Sequence, residues 1–182
     1  MDVPPGCRIE GTTFERCPTN FVGEITVPEG IKTIGWRACW NCRDITVARL
    51  PNGVTEIGDE AFCNCASLTD INIPDGVIRV GSGTFAECSE LTNIHIPPSV
   101  TTVDGGAFAD CEKLAYAIVP RGCTVSDTAF PPACKIFNSI FDYRAQLARK
   151  LANEMDGDGV DIVGMHSPLP EPSVDSRSGR DI

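Results

Sequence analysis

Ten cysteines in 182 residues are the first place to look for chemistry. Cys39-x-x-Cys42 followed by Cys63-x-Cys65 has the outline of a four-thiolate zinc site, because Zn²⁺ takes tetrahedral sulfur ligands from paired spacings of this kind. In a secreted chain the same residues would read as disulfides. As free thiols they would be core residues, since unpaired cysteine is among the most buried side chains. The spacing favours the core. Cys42, Cys65, Cys88, Cys111 and Cys134 lie 23 residues apart, four times in succession. Cys42 and Cys65 are therefore equivalent positions on adjacent turns of a repeat, both pointing inward. Cys39 stands where Phe62 and Phe85 stand later, as a small core substitute, and only Cys63 is left without a place. Disulfides along this ladder meet a geometric objection. Parallel side chains on strands about 4.8 Å apart keep their Cβ atoms farther apart than the ~3.8 Å that a disulfide prefers. Cys7, Cys17 and Cys123 are less constrained and are expected nearer the surface.

Catalysis has little to work with. Of the two histidines, His166 lies near the C-terminal end, and His95 sits between Ile94 and Ile96 with no patterned nucleophile beside it. The glycines recur once per repeat, as turns require, and form no phosphate-cradling loop. Asp156-Gly157-Asp158-Gly159 resembles the start of a calcium loop, but Val160 takes the fifth position and no glutamate stands at the twelfth. Ser167-Pro168 is too common a pair to assign. No catalytic residue, metal site or cofactor is expected.

The elements that hold these residues follow from the period. Pro28, Pro51, Pro74, Pro97 and Pro120 keep the 23-residue interval, and so do Phe62, Phe85 and Phe108. One unit runs from Leu68 to Glu90. It opens with a strand that puts Ile71 and Ile73 on one face and Asp70 and Asn72 on the other. Pro74 ends the strand and starts a turn through Asp75 and Gly76. Val77 and Val80 point inward on the next segment. A corner at Gly81-Ser82 then leads to a single helical turn that carries Phe85 and closes at Cys88, with Ser82, or Asp59 one coil earlier, as its cap. A unit this small cannot bury its own apolar face, so it must stack on copies of itself. In register, Ile25, Ala48, Ile71, Ile94 and Ala117 form one inward row, and Val27, Leu50, Ile73, Ile96 and Val119 form another.

A period of 23 with this apolar pattern belongs to the leucine-rich repeats. The unit resembles the BspA-like branch of that family, whose consensus is close to L-x-x-I-x-I-P-x-x-V-x-x-I-G-x-x-A-F-x-x-C. Leu68 to Cys88 and Leu91 to Cys111 match it closely, Ile45 to Cys65 nearly so, and the likeness covers about Val22 to Ile136. The resemblance implies an α/β repeat solenoid with a short parallel β-sheet on its concave face and no catalytic residues to carry over. It also implies kinship with microbial surface proteins that attach to other proteins, so an adhesin is the expectation if a secreted form exists.

The ends depart from the pattern. Residues 5–20 look like a worn copy, with Ile9, Phe14 and Cys17 keeping the spacing of Ile57, Phe62 and Cys65. Residues 1–21 are therefore expected to be an irregular N-terminal cap, followed by five repeats over residues 22–137. From Asn138 or Ser139 to about Met155 a helix is expected, with Ile140, Tyr143, Leu147 and Leu151 near one stripe that caps the last coil. Residues 156–182, rich in Gly, Pro, Ser and Asp, are expected to be a disordered acidic tail.

With 15 basic against 25 acidic side chains the formal net charge is −10, which speaks against nucleic acid and anionic membrane surfaces as partners. No apolar run approaches the roughly 20 residues that cross a bilayer. The opening residues lack a basic stretch followed by an apolar one, so a cytoplasmic chain is expected. The expected function is a non-catalytic protein-interaction scaffold. Its partner-binding residues are the outward rows of the concave face, Glu24, Val47, Asp70, Asn93 and Tyr116, with Thr26, Arg49, Asn72, His95 and Ile118 beside them. A passive structural or assembly element is the alternative.

Overall fold

The computed structural model describes residues 3–155, and the readings made above for residues 156–182, His166 among them, lie outside them. The chain divides into two compact units, Met1–Ala145 and Gln146–Ile182. The first opens with an antiparallel hairpin of β1 (Arg8–Glu10) and β2 (Thr13–Arg16). After it, the chain winds in coils that each contribute two short strands. The leading strands are β3 (Gly23–Thr26), β5 (Ile45–Arg49), β7 (Asp70–Ile71), β9 (Asn93–His95), β11 (Tyr116–Ile118) and β13 (Lys135–Phe137). The trailing strands are β4 (Thr33–Ile34), β6 (Glu56–Ile57), β8 (Arg79–Val80), β10 (Thr102–Val103) and β12 (Thr124–Val125).

The leading strands pair in parallel as β3-β5-β7 and β9-β11-β13, and the trailing ones as β2-β4-β6 and β8-β10-β12. The register puts Ile25 beside Ala48 and Ala48 beside Ile71, and it puts Ile94 beside Ala117. These are the inward rows read from the sequence, and every member is buried. The trailing column is a second ladder that the sequence pattern did not show. Two-residue strands carry too few alternations to be seen, and only Val77 and Val80 marked the segment.

Between the trailing and leading strands the chain does not form a helical turn. Around Trp36 to Cys42 it makes successive i→i+3 bonds, from Ala38 N–H to Gly35, Trp40 to Arg37 and Cys42 to Cys39, at 3.0–3.2 Å. Left-handed residues interrupt them, and Asn41, Asn64, Glu87 and Asp110 (φ 57–61°) form a column of their own. The expected caps also act differently. Asp59 accepts the Ser82 N–H of the next coil at 3.1 Å, and Ser82 Oγ donates to the Gly105 carbonyl of the coil after that at 3.2 Å. These side chains tie coil to coil instead of capping their own turn. The proline turns are as read: the N–H of Val54, Val77 and Val100 each donates to the proline carbonyl three residues back, at 3.0–3.1 Å.

Backbone bonds join the turns across coils as well. The N–H of Phe62, Phe85 and Phe108 donates to the carbonyl of Thr84, Ala107 and Ala129 respectively, each at 2.8 Å. The phenylalanine rings follow the same axis. Phe62 and Phe85 stack at 5.6 Å, Phe85 and Phe108 at 5.2 Å, and Phe108 and Phe130 at 4.8 Å, all within 17° of parallel. Phe130, one residue out of phase, still joins the column. Coils approach so closely that a Cβ on Gly58 would lie 2.7 Å from the Trp36 nitrogen, so glycine there serves contact and not only turn formation.

Among the described residues a single helix, α1 (Ile140–Met155), follows β13. Ser139 caps it, its Oγ accepting the Asp142 N–H at 3.1 Å. Within the first unit, Tyr143 lays its ring on Tyr116 at 4.1 Å and meets Phe137 edge-on at 5.3 Å. In the second unit Leu147 and Leu151 are exposed.

Phe85 has a ring on each side, and removing it opens a cavity in the middle of the column. Phe85→Ala is expected to lose about 3–5 kcal/mol in chemical denaturation. A loss under about 1 kcal/mol would mean that the rings are not the continuous core described.

Candidate functional site

The outward row of the leading strands is the surface that the sequence singled out. Glu24, Val47 and Asp70 stand side by side, with Thr26 beside Arg49 on the first sheet. On the second sheet Asn93 stands beside Tyr116, and His95 beside Ile118. The side chains are committed to very different degrees. Arg49 bridges two coils, with Nε 3.4 Å from Glu24 and Nη1 2.7 Å from Asp70. The Asp70 carboxylate, with Glu24 behind it, raises the guanidinium pKa further.

Asn72 is not a free contact. Its amide donates to the Leu50 carbonyl at 2.8 Å and accepts the Leu50 N–H at 2.9 Å, so it stands in for backbone on one rung of the ladder. Ile118 was expected to face solvent and is 8% exposed, outside the main apolar cluster. Tyr116 is half-buried under Tyr143, and burial followed by that neighbour pushes its phenol pKa up. Thr26, Asn93 and His95 remain exposed.

A second cluster was not found by sequence reasoning. The chain's two tryptophans, Trp36 and Trp40, are 64% and 43% exposed on the interstrand turn of one coil. The Arg37 guanidinium lies 4.4 Å from the Trp36 ring centroid and 5.5 Å from that of Trp40, and is held 2.7 Å from Glu60 of the next coil. A groove of about 410 Å³ lies on one side of Trp36, walled by Glu56, Asp59, Ile78 and Arg79. Another of about 290 Å³ lies between Trp36 and Trp40, reaching Glu15 and Arg16. A signal was present in the period. The positions 23, 46 and 69 residues after Trp36 are Asp59, Ser82 and Gly105, and those after Trp40 are Cys63, Ala86 and Ala109. Stacking needs no large side chain at either place.

The cysteine column is core from Cys42 to Cys111, as its spacing implied, but Cys134 at its end is half-buried, and Cys17, expected nearer the surface, is 2% exposed. Cys42, Cys65, Cys88 and Cys111 are fully buried. Cys65, Cys88 and Cys111 donate S–H to the carbonyls of Cys39, Phe62 and Phe85 of the preceding coil at 3.1–3.3 Å. A thiol is small enough for this slot and still offers a weak donor to an interior carbonyl. Burial pushes the thiol pKa of Cys65 and Cys88 well up, that of Cys111 to about 12 and that of Cys134 to about 11. Cys42 goes the other way, its pKa lowered by hydrogen bonding from the Cys17 and Cys39 thiols with the Arg16 charge behind them. Among the described residues no group of three or more His, Cys, Asp or Glu side chains is placed to hold a metal ion. No helix among them is long and apolar enough to cross a membrane.

Coils of 23 residues, paired parallel strands and the proline and cysteine columns together specify a repeat class. The family described as BspA type leucine rich repeat region matches residues 8–137 in 6 copies. The chain belongs to that family. The BspA-type match begins within the N-terminal hairpin, so it includes the worn copy. A solved leucine rich cell surface protein of Faecalibacterium prausnitzii is similar, with 27% identity and a TM-score of 0.66 over 73% of this chain and 37% of that one. A leucine-rich repeat protein of Bacteroides ovatus gives 28% identity and a TM-score of 0.60 over 70% of this chain and 36% of that one. This BspA-type chain thus spans little more than a third of either. The leucine rich repeat protein of T. pallidum shares the fold at 19% identity and a TM-score of 0.51, over 82% of this chain and 96% of that one. No curated protein matches the chain.

Two outcomes follow for the thiols. With a small alkylating reagent on the folded protein near pH 7.5, the half-buried Cys7, Cys63, Cys123 and Cys134 should react first, and the six buried cysteines only on unfolding. Early labelling of Cys65, Cys88 or Cys111 would contradict the core. These three keep their protons in the fold while the unfolded thiols ionise at pH 9.0, so their contribution is complete below pH 9 and lost above it. Each should lower stability by roughly 1.4 kcal/mol per pH unit beyond that point. Cys42, with its lowered pKa, adds nothing to that alkaline loss.

Proposed function

We propose that the chain is a non-catalytic repeat scaffold that binds a protein partner, with Trp36, Arg37 and Trp40 as the main docking cluster. The observation that carries this reading is the exposure of both indoles around one ion-paired arginine, at positions where other coils carry small or polar residues. Trp and Arg are the side chains most enriched among residues that dominate binding energy, because each offers a large rigid surface together with a polar contact. The grooves flanking Trp36 supply recesses for a partner's side chains. The net charge of −10 turns the partner class away from nucleic acid.

The sheet face is the second reading, and it is favoured by the exposure of Thr26, Asn93 and His95 beside the Glu24–Arg49–Asp70 bridge. The bridge and Asn72 already satisfy one another or the backbone, which makes this face the poorer source of binding energy. Either reading is independent of compartment. The cytoplasmic placement expected from the opening residues and the cell surface of the Faecalibacterium relative leave the same faces open.

Because both tryptophans sit in the cluster, intrinsic fluorescence reports on it alone. A partner captured by the wild type should shift the emission to shorter wavelength on titration. Its affinity, measured by calorimetry because the variant has no tryptophan, should fall at least tenfold on Trp36→Ala with Trp40→Ala, while the far-UV circular dichroism is kept. A partner retained by that variant and lost on Arg49→Glu would move the site to the sheet face. Retention by both variants would overturn both sites, and failure of the wild type to capture any partner would leave the passive assembly reading.

A further inference from the structure

We propose that Cys7 and Cys17 are a disulfide-forming pair that staples the N-terminal hairpin. The two residues stand at the open end of β1 and β2, one rung beyond the Arg8–Arg16 pair. At that rung no backbone N–H crosses between them, since Cys7 donates to Pro4 at 3.0 Å and Cys17 to Ala38 at 2.6 Å. Opposed positions of this kind, without an exchanged backbone bond, bring antiparallel side chains closest, with Cα atoms about 4.5 Å apart and within the range a disulfide spans. Alternation turns Arg8 and Arg16 outward and both cysteines toward the apolar interior. The two segments stay in contact past this rung, since a Cβ on Gly6 would lie 3.0 Å from the Pro18 ring.

The parallel cysteine column differs on both counts, since its Cβ atoms do not converge and its thiols are sealed. The Cys42 thiol also reaches the Cys17 carbonyl at 3.8 Å, but Cys39 and Cys42 are 0% exposed, and Cys17 itself is 2% exposed. Cys7 is half-buried and is the point of entry.

The oxidant is a low-molecular-weight disulfide such as oxidised glutathione. The Cys7 thiolate attacks one of its sulfurs and releases one glutathione thiolate. The Cys17 thiolate then attacks the Cys7 sulfur of the mixed disulfide and releases the second. The two cysteines give up two electrons and two protons, and the oxidant leaves as two molecules of reduced glutathione. Burial raises the pKa of Cys7, so the rate should climb about tenfold per pH unit below it. The bond fastens β1, the end strand of its sheet, to β2, which carries Phe14 into the core.

Trypsin makes the test specific, because cleavage after Arg8, Arg16, Lys32, Arg37 and Arg43 places Cys7, Cys17 and the Cys39/Cys42 pair on three different peptides. The full chain is held in a mixture of oxidised and reduced glutathione, alkylated, digested and read by mass spectrometry. The expected result is a fall from ten free thiols to eight, with peptide 1–8 linked to peptide 17–32. Cys7→Ser should then keep all nine of its thiols. A link from peptide 17–32 to peptide 38–43, a glutathione adduct that persists on Cys7, or ten unchanged thiols would each overturn the proposal.

Discussion

Close approach of one coil to the next is the constraint on which everything else in the molecule rests. Backbone from one turn runs so near the last that Gly58 has no room for a Cβ. The turn amides at Phe62, Phe85 and Phe108 reach carbonyls of the following coil at 2.8 Å. At this distance like positions must meet like positions, so each coil has to present what its neighbour can pack against. The result is a set of columns: aliphatic rows under the leading strands, stacked rings, and thiols pointing at the carbonyls behind them. No single residue is the centre of such a core, and stability accumulates from one interface to the next.

Stacking equal positions brings a hazard on the surface, because repeated charges would face each other across every interface. The chain alternates them. Arg37 meets Glu60, Lys113 meets Glu90, and Arg79 lies between Asp59 and Asp104. The outward row of the leading strands is settled in the same manner through Glu24, Arg49 and Asp70. Much of the polar surface is thereby engaged with itself. The indoles of Trp36 and Trp40 stand apart from this pattern, exposed where neighbouring coils carry Asp, Ser, Gly, Cys or Ala.

Most of the architecture was legible in the sequence because a fixed period makes each unit a witness for the others. The proline turns, the inward rows and the ring and thiol columns could all be read from spacing alone. Three kinds of feature were not. The trailing strands are two residues long and have no alternation to detect. The interstrand turns depend on left-handed residues such as Asn41 and Asn64, and side-chain type hints at that conformation without showing where it falls. The outward row was assigned by alternation, which gives direction but not engagement. It could not show that Asn72 bonds to the Leu50 backbone, or that Ile118 is covered. The tryptophan cluster was within reach, since comparing columns shows where a large side chain is not required by stacking.

Amide hydrogen exchange followed residue by residue tests the stacked-coil account most directly. Outside regular helix, and with no long strand to protect them, the N–H groups of Phe62, Phe85 and Phe108 are bonded only if the next coil lies in register. They should exchange as slowly as the strand amides of Ile94 and Ala117. Exchange at the rate of an open surface turn would contradict the account.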